Sequence, residues 1–338
     1  MVKVGIVGAG FMGQMHSNVY AALPEAMLVA VADIREENAR KVARSHKALP
    51  YADFSKMLEK EEIDMVDICL PTYLHAEYAV KAAQAGKHVL CEKPMALTLE
   101  EADSMIEAAE KAGVYLMVAH CIRFWPEYLY LKRVVEEGEL GELNSISLRR
   151  LSPPVTWSWE DWMGDFRKSG GAATDLHIHD TDFVLYLLGR PYSVFSEGTR
   201  TRHGWSHIFT IYHYETSPTA MAEGGWDTTP HFPFSMAYTA YFEKGVIDFN
   251  SARDLALTVY EEDKPPYSPS IDKPQAEEVE GIGNIAAIAG YFNEIQHFVN
   301  CIRDRKPPTV VTPEDARTSL EIILAEIKSA ETGREVKL

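Results

Sequence analysis

The chain has 338 residues, which is too many for one ordinary hydrophobic core and suits two domains. Apolar residues make up 46% and charged residues 25% of the chain, the composition of a soluble globular protein. The formal net charge of −17 argues against nucleic acid or an anionic membrane as a partner, because both require a basic surface. No uncharged apolar stretch reaches the length of about 18 residues that a membrane span needs.

The cysteines favour a reducing compartment. Their spacing forms neither a C-x-x-C pair nor a metal site, and three of them end apolar, strand-like runs. We therefore expect buried free thiols and a cytoplasmic protein. The amino-terminal apolar residues are interrupted by glycine and lack a cleavage-type end, so no signal peptide is expected. The cysteines are Cys69, Cys91, Cys121 and Cys301.

The amino-terminal residues carry the pattern of a dinucleotide-binding βαβ unit. A buried strand over 2–7 leads into a glycine turn, a helix over 11–22 and a second strand over 27–32. In the turn, Gly8 permits the tight bend, Gly10 lets the backbone approach a pyrophosphate, and Gly13 lets the helix lie close to the strand. The alternative is a glycine turn in an unrelated α/β protein. The predicted cofactor contacts here are Gly8, Gly10, Phe11, Met12, Gly13, Asp33, Ile34 and Arg35.

The acid twenty residues after the third glycine bears on the choice of cofactor. Asp33 can accept hydrogen bonds from both adenosine ribose hydroxyls and would repel a 2′-phosphate, which favours NAD over NADP. Arg35 keeps the alternative open, because a guanidinium can hold that phosphate. NAD is the expected cofactor, and NADP is the less favoured one.

Strands and helices alternate up to residue 119. Helices are predicted over 36–46, 54–59, 75–85 and 99–112, and strands over 65–70, 88–91 and 115–119. This alternation predicts a doubly wound parallel sheet with ligands at the carboxyl ends of its strands. The residues at those ends include Asp33, Pro71, Thr72, Glu92, Lys93 and His120, most of which are polar.

Lys93 is the first candidate for chemistry. It lies at the carboxyl edge of the predicted sheet, directly after Glu92 and directly before Pro94, where packing of the sheet gives no reason for a lysine. The alternative is a solvated lysine at a strand end.

A second candidate group lies in a predicted helix that ends at Gly189. Asp175 and His179 are four residues apart and Asp182 follows three later, so the three share one helical face. An imidazole oriented by a carboxylate is a suitable general base near neutral pH. Two alternatives remain: a metal site that uses His177 and His179, or a structural capping role for Asp175 with an inert His179.

Tryptophans precede this group at 157, 159 and 162. Their faces suit a sugar ring or a nicotinamide, and Trp162 is the one expected to reach the cofactor. A core or interface role is an equal alternative.

The second half of the chain predicts a large, mainly antiparallel sheet. After a helix over 125–137, strands are predicted over 143–151, 192–202, 207–215, 218–226, 234–243 and 246–250. A proline-rich exposed loop follows over 264–274, and helices over 286–304 and 313–331 end the chain. We expect an α/β protein with a Rossmann domain over 1–121 and an α+β domain, built on an open sheet, over 122–338.

The Glu92-Lys93-Pro94 sequence resembles the E-K-P motif of the glucose–fructose oxidoreductase / inositol dehydrogenase (Gfo/Idh/MocA) family. Other motifs of that family follow in the expected order along the whole chain. The family's usual glycine between the motif Asp and His is His177 here, which adds an imidazole. The further motifs are Pro71-Thr72-x-x-His75, Arg123-Phe124 with Pro126, Gly170-Gly171, Asp175-x-x-x-His179 with Asp182, Tyr291-Phe292-Asn293-Glu294 and Pro313-Glu314-Asp315-Ala316.

The resemblance implies an NAD(P)-dependent dehydrogenase for a sugar, polyol or inositol that forms homodimers or homotetramers through the second sheet. Lys93, before a cis peptide bond, and His179 would handle the proton of the substrate hydroxyl, and Asp175 would position the substrate or tune His179. No metal is expected. Further cofactor contacts would come from Pro71, Thr72, His75, Glu92, Lys93 and Trp162, and substrate contacts from Lys93, Cys121, Arg123, Asp175, His179 and Tyr291.

Other function classes remain open. An NAD-retaining enzyme that cleaves glycosides or epimerises sugars would use the same residues, whereas a non-catalytic NAD sensor would not need Lys93 and His179 together. A metal-dependent hydrolase at His177 and His179 is the least favoured reading.

Overall fold

The computed structural model describes residues 1–216, 218–271 and 288–338. The chain divides into two compact units. The first comprises Met1–Trp125 and the stretch from residue 288 to Arg317, and the second comprises Pro126 to residue 271 and Thr318–Leu338. In these described ranges, no helix combines the length and apolar character of a membrane span.

The first unit is built on a six-stranded parallel sheet with the strand order β3-β2-β1-β4-β5-β6. This is the order of a doubly wound dinucleotide-binding fold, as predicted. Its central strands are buried on both faces because helices cover the sheet on each side. The strands are β1 (Val2–Val7), β2 (Ala26–Ala32), β3 (Leu49–Tyr51), β4 (Met65–Ile68), β5 (His88–Glu92) and β6 (Leu116–Ala119).

The helices of this unit begin and end at positions that local chemistry favours. Thr98 accepts a hydrogen bond from the Glu101 N–H, and the Glu101 side chain accepts one from the Thr98 N–H, which is a capping box. Gly113, with φ of 66°, ends the same helix in the left-handed conformation. The helices are α1 (Phe11–Ala22), α2 (Glu36–His46), α3 (Phe54–Lys60), α4 (His75–Gln84) and α5 (Leu99–Ala112).

A helix from the carboxyl-terminal part of the sequence completes the first unit. Helix α9 (Ile288–Asp304) contributes Ile295, Phe298 and Val299 to the core that also contains Val4 and Val19. The sequence placed this helix in the second domain, because proximity along the chain was the only guide. In the structure, the apolar face of α9 packs on α1, so the helix belongs to the first unit. Residues 286 and 287 of the predicted helix lie outside the described residues.

The second unit is built on a nine-stranded sheet with the order β14-β13-β12-β11-β7-β10-β9-β8-β15. Neighbouring strands are antiparallel except for β7 and β10, which pair in parallel. The predicted mainly antiparallel sheet is thus confirmed. The strands are β7 (Leu143–Leu151), β8 (Ser193–Thr201), β9 (Gly204–His213), β10 (Thr219–Gly225), β11 (Ser235–Phe242), β12 (Gly245–Asn250), β13 (Leu257–Glu261), β14 (Lys264–Tyr267) and β15 (Val336–Lys337).

The prediction of a loop from 264 onward was wrong for its first four residues. Strand β14 forms there and pairs with β13 at Lys264 and Tyr267 only. The two prolines between these positions have no N–H to donate, which an edge strand tolerates. Residues 272–274 of the predicted loop lie outside the described residues.

One face of the nine-stranded sheet is covered by helices and the other carries exposed side chains. Along β9 the burial alternates, so that Ile208, Thr210 and Tyr212 face the core while Phe209 and Ile211 face outward. The helices of this unit are α6 (Pro126–Glu137), α7 (Phe166–Ser169), α8 (Ile178–Leu188) and α10 (Pro313–Thr332), the last of which begins in the first unit.

Candidate active site

The glycine turn between β1 and α1 has the shape that a dinucleotide pyrophosphate requires. A Cβ on Gly8 would lie 2.3 Å from the Cys69 carbonyl oxygen, and one on Gly13 would lie 1.9 Å from the Gly8 carbonyl oxygen. A Cβ on Gly10 would meet no protein atom within 4 Å. The first and third glycines therefore close the turn, and the second leaves open space beside the first N–H groups of α1.

Asp33 holds this turn from the end of β2. Its Oδ2 accepts a hydrogen bond from the Ala9 N–H at 2.8 Å, and its Oδ1 accepts one from the Arg35 N–H at 2.8 Å. The Arg35 Nε lies 3.6 Å from the same Oδ1. The carboxylate is almost fully buried, whereas Ile34 is 65% exposed and offers an apolar surface next to it. Phe11, at the start of α1, is also exposed, and Met12 is half-buried.

His75 ties the segment after β4 to the turn that carries Lys93. Its Nδ1 lies 2.8 Å from the Pro94 carbonyl oxygen and its Nε2 lies 2.8 Å from the Leu70 carbonyl oxygen. Burial lowers the pKa of His75, so the neutral imidazole donates to one of these carbonyls at neutral pH. Thr72, in the short 3-10 turn before α4, is buried beside it, and Pro71 precedes that turn.

The peptide bond between Lys93 and Pro94 is cis, as the family resemblance implied. The Glu92 Oε2 accepts a hydrogen bond from the Lys93 N–H at 3.2 Å. Lys93 is half-buried at the carboxyl end of β5, while Glu92 is buried. The hydrogen bond to Glu92 thus holds the backbone of the lysine at this edge of the sheet.

A buried polar cluster beneath this turn was missed by the sequence reasoning. His16 Nδ1 lies 2.8 Å from Asp67 Oδ2 and His16 Nε2 lies 3.1 Å from Glu92 Oε1. The His16, Asp67 and Cys69 atoms that could ligate a metal ion all lie within 4.8 Å of one another. Hydrogen bonds already join these side chains. The sequence feature that could have indicated this cluster is Asp67, the one acidic residue in the apolar strand β4.

Three predicted substrate contacts lie near the end of β6 and the start of α9. The Arg123 Nη1 donates to the Val310 carbonyl oxygen at 2.7 Å and to Asp315 Oδ2 at 3.1 Å, so it anchors a neighbouring segment. Cys121 is buried, and burial raises the pKa of Tyr291 well above its ordinary value. The Tyr291 ring centroid lies 6.2 Å from that of His16, which places it beside the buried cluster.

In the second unit, Asp175 lies in a π-helical turn over residues 173–177, and His179 follows in the first turn of α8. Such turns occur often at functional sites because they change the direction in which a side chain points. Asp175 is buried and His179 is half-buried. Glycines with positive φ at 170 and 171 precede the turn.

Two acids of α8 hold this segment in place. Asp180 is bound by the buried Arg150, with Nε and Nη2 each 3.0 Å from a carboxylate oxygen. Asp182 accepts a hydrogen bond from the Ser319 hydroxyl at 2.8 Å. Both acids are fully buried, so their paired contacts fix the helix that carries His179.

His177, the departure from the family's glycine, is a buried structural residue in this fold. Its Nε2 lies 3.2 Å from the Thr210 hydroxyl and 3.2 Å from Glu326 Oε2. A Cβ on Gly224 of strand β10 would lie 2.6 Å from the His177 Nδ1, so the imidazole packs where this strand has no side chain. The contact with Glu326 favours this role over a metal site with His179.

Trp162 lies in an irregular turn over residues 159–164 and is half-buried. Trp159 is also half-buried and Trp157 is 65% exposed. The three side chains therefore form no buried core, and the cofactor contact of Trp162 stays a prediction.

Comparison with known proteins places both parts of the chain in one family. Residues 2–120 match the family described as "Oxidoreductase family, NAD-binding Rossmann fold", and residues 128–248 match the "GFO/IDH/MocA C-terminal domain". The NAD-binding description fits the glycine turn, because Gly10 leaves the pyrophosphate space open.

Relatives with assigned names include inositol dehydrogenases. The chain is 28% identical to scyllo-inositol 2-dehydrogenase (NAD(+)) of Bacillus subtilis (strain 168) over 100% of its own length and 96% of that protein. It is 33% identical to myo-inositol 2-dehydrogenase of Thermotoga maritima over 59% of the chain and 58% of that protein. In several such matches the chain spans little more than half the length of the relative.

A solved structure of levoglucosan dehydrogenase in complex with NADH and levoglucosan has the same fold. It superposes with a TM-score of 0.86 at 25% identity and covers 100% of this chain and 98% of the other. The chain therefore belongs to the Gfo/Idh/MocA oxidoreductase family, and residues 2–120 form the NAD-binding Rossmann domain of that family.

Proposed function

We propose that this protein is an NAD-dependent dehydrogenase that acts on a hydroxyl-bearing carbon of a sugar, polyol or inositol. The observation that carries the proposal is Lys93, which lies at the carboxyl edge of the same sheet as the glycine turn and donates its backbone N–H to Glu92. The proteins similar to this chain include inositol dehydrogenases and a levoglucosan dehydrogenase, which supports this substrate class.

The first unit would hold the cofactor along its carboxyl edge. The Gly8–Gly13 turn and the first N–H groups of α1 would bind the pyrophosphate. The Asp33 carboxylate would accept hydrogen bonds from the ribose hydroxyls. Thr72, His75 and Glu92 would line the path toward the nicotinamide, and Trp162 is a further proposed cofactor contact. When bound, the nicotinamide ring supplies the hydride acceptor.

The substrate hydroxyl would be handled by two side chains of this protein. His179 takes the hydroxyl proton as general base, and Lys93 donates a hydrogen bond to the same oxygen, which stabilises the negative charge that develops on it. Asp175, four residues before His179, positions the substrate or the imidazole. Cys121, Arg123 and Tyr291 complete the proposed substrate contacts.

Two substitutions test these roles. Lys93→Met should lower turnover by about 10²-fold or more and leave NAD affinity nearly unchanged, because the amine acts on the substrate oxygen. His179→Ala should remove the main ionisation from the pH–rate profile. Turnover of inositols, hexoses and sugar acids is followed by NADH absorbance, and NAD affinity by calorimetry.

The control is Lys111→Met, which removes an exposed lysine of α5 and should leave turnover unchanged. Near-normal turnover of Lys93→Met would refute the assignment. Cleavage of a glycoside by the NAD-loaded protein without net NADH formation would contradict the dehydrogenase reading.

NAD should be preferred over NADP. Asp33 is buried at the end of β2, and its fixed negative charge would lie where NADP carries its 2′-phosphate. The ratio of kcat/KM for the two cofactors measures this preference, and Asp33→Ser should reduce it. A clear preference for NADP in the wild type would overturn this assignment.

The open sheet of the second unit is the proposed interface of a homodimer or homotetramer. Its outward face exposes Phe209, Ile211, Met221 and Tyr241, each by more than 40%. Side chains of this kind on one contiguous face are typical of an interface between protein chains.

A further inference from the structure

His16 lies beneath the turn that carries Lys93, one helical turn after Gly13. Its side chain is fully buried between two carboxylates that come from neighbouring strands. Its Nδ1 is 2.8 Å from Asp67 Oδ2, and its Nε2 is 3.1 Å from Glu92 Oε1. The Nδ1 contact is a hydrogen bond, whereas the Nε2 contact has the distance of an ion pair without hydrogen-bond geometry. With Nδ1 donating to Asp67, a ring without a proton on Nε2 would turn a lone pair toward the Glu92 carboxylate, so the doubly protonated ring is the form that suits both acids.

The groups around His16 favour this cation. Asp67 Oδ2 also accepts a hydrogen bond from the Tyr20 hydroxyl at 2.8 Å, and the Cys69 thiol lies 3.5 Å from Asp67 Oδ1. Burial raises the pKa values of Tyr20 and Cys69, so both stay neutral and act as donors to Asp67. Helix α9 adds Tyr291, neutral for the same reason, and the buried Glu294.

Charge therefore outweighs burial at His16. Burial by itself would lower the pKa of the imidazole, but the charge and hydrogen bond of Asp67 raise it well above its ordinary value. The same balance holds at Glu92. Burial would raise the pKa of this carboxyl, but His16, then Lys93, hold it below its ordinary value.

Glu92 connects this buried charge to the turn. Its Oε1 faces His16, while its Oε2 accepts the backbone N–H of Lys93 at 3.2 Å. Protonation of Glu92 would turn one of its oxygens into an O–H donor, and the buried ring would lose its second carboxylate. The position of the lysine backbone is thus coupled to the charge on His16.

We propose that His16 is a positioning residue of the active site: a buried cation between Asp67 and Glu92 that keeps Glu92 ionised and in place, and with it the turn that presents Lys93. The role of Lys93 in this statement rests on the proposed function. The charge state of His16 does not depend on it.

The charge is tested directly on the wild-type protein. In ¹⁵N-histidine NMR spectra at about pH 8, where a free imidazole is neutral, His16 should still show two protonated ring nitrogens. The His16→Gln spectrum identifies its signals among those of the other histidines. A neutral His16 tautomer at this pH would overturn the proposal.

The positioning role is tested by His16→Gln, which keeps an N–H but removes the charge. We expect kcat/KM for the substrate to fall by about 10-fold or more, since small displacements of a reacting group are costly. The acid limb of its pH profile should move to higher pH, because a buried Glu92 without a nearby cation gains a proton more readily. NAD affinity should change little.

Tyr20→Phe is the matched control. It removes a hydrogen bond to Asp67 without changing any charge, so it should lower stability but leave the acid limb in place. In a Glu92→Gln background, adding His16→Gln should have no further effect on kcat. An unmoved acid limb in folded His16→Gln would overturn the proposal.

The two proposals fail in different ways. Absence of NAD reduction by the wild type with every polyol would refute the proposed function, and the NMR measurement would still decide the charge on His16. An active wild type with a neutral His16 would refute only the present inference.

Discussion

The pKa values of three histidines of this protein shift in different directions because of the groups that face their rings. His75 lies between two backbone carbonyls, and burial keeps it neutral. His16 lies between two carboxylates and stays charged despite its burial. His207, on the outward face of β9, also lies between two carboxylates, with Nδ1 2.8 Å from Asp227 and Nε2 3.0 Å from Glu223. The groups that face an imidazole ring, carbonyls or carboxylates, thus affect its pKa more than its depth of burial does.

His207 should make stability depend on pH. Its hydrogen bonds with Glu223 and then Asp227 outweigh burial and raise its pKa, so the folded state binds the proton more tightly than the unfolded state. This stabilisation is complete below about pH 6.5, the unfolded value, and is lost as the pH rises through the folded pKa. The Tm difference between wild type and His207→Gln should therefore be largest near pH 6 and shrink toward pH 9.

Thermal unfolding monitored by circular dichroism measures this difference. His231→Gln, at an exposed histidine of the same unit, should show no such trend. A Tm difference for His207→Gln that is constant with pH would contradict the argument.

At the scale of elements, most helices and strands lie within two residues of their predicted bounds. Periodicity places them because burial of one face or of a whole strand leaves a regular apolar pattern. The strands that were missed, β3, β13, β14 and β15, are short or lie at or near an edge of their sheets. Their formation depends on a neighbouring strand, and their own residues carry little pattern.

The first helix allows a test that separates folding from cofactor binding. Gly13→Ala places a methyl group against the Gly8 carbonyl, so α1 must move away from β1, and we expect a loss of about 1–3 kcal/mol in the free energy of unfolding. Gly10→Ala meets no protein atom and should leave that free energy nearly unchanged, while the methyl group enters the proposed pyrophosphate space and weakens NAD binding by about 10-fold or more.

Urea unfolding and calorimetric titration with NAD measure the two effects. If Gly10→Ala binds NAD as the wild type does, the pyrophosphate does not lie against this turn. Equal unfolding free energies for Gly13→Ala and the wild type would show that the helix accommodates the methyl group at no cost.

At the scale of the whole molecule, the open face of the second sheet bears on assembly. If this face joins two copies, Ile211→Lys should bury a charge in the interface and shift the protein toward monomers. Multi-angle light scattering measures the mass. Leu129→Lys, at a 38% exposed leucine of α6, is the control and should leave the mass unchanged. A wild-type monomer would remove the proposal of a homo-oligomer.

The sequence by itself determined the Rossmann unit, the glycine turn, Asp33, the Glu92-Lys93-Pro94 turn and the family, because these depend on local spacing and on residue types that few other structures need. Only the tertiary structure decided that α9 joins the first unit, that His177 pairs with Glu326, and that His16 lies between Asp67 and Glu92. Each of these facts joins residues more than fifty positions apart or depends on which face a helix buries. Side-chain contacts at such separations leave no periodic trace in the chain, so packing alone brings them together.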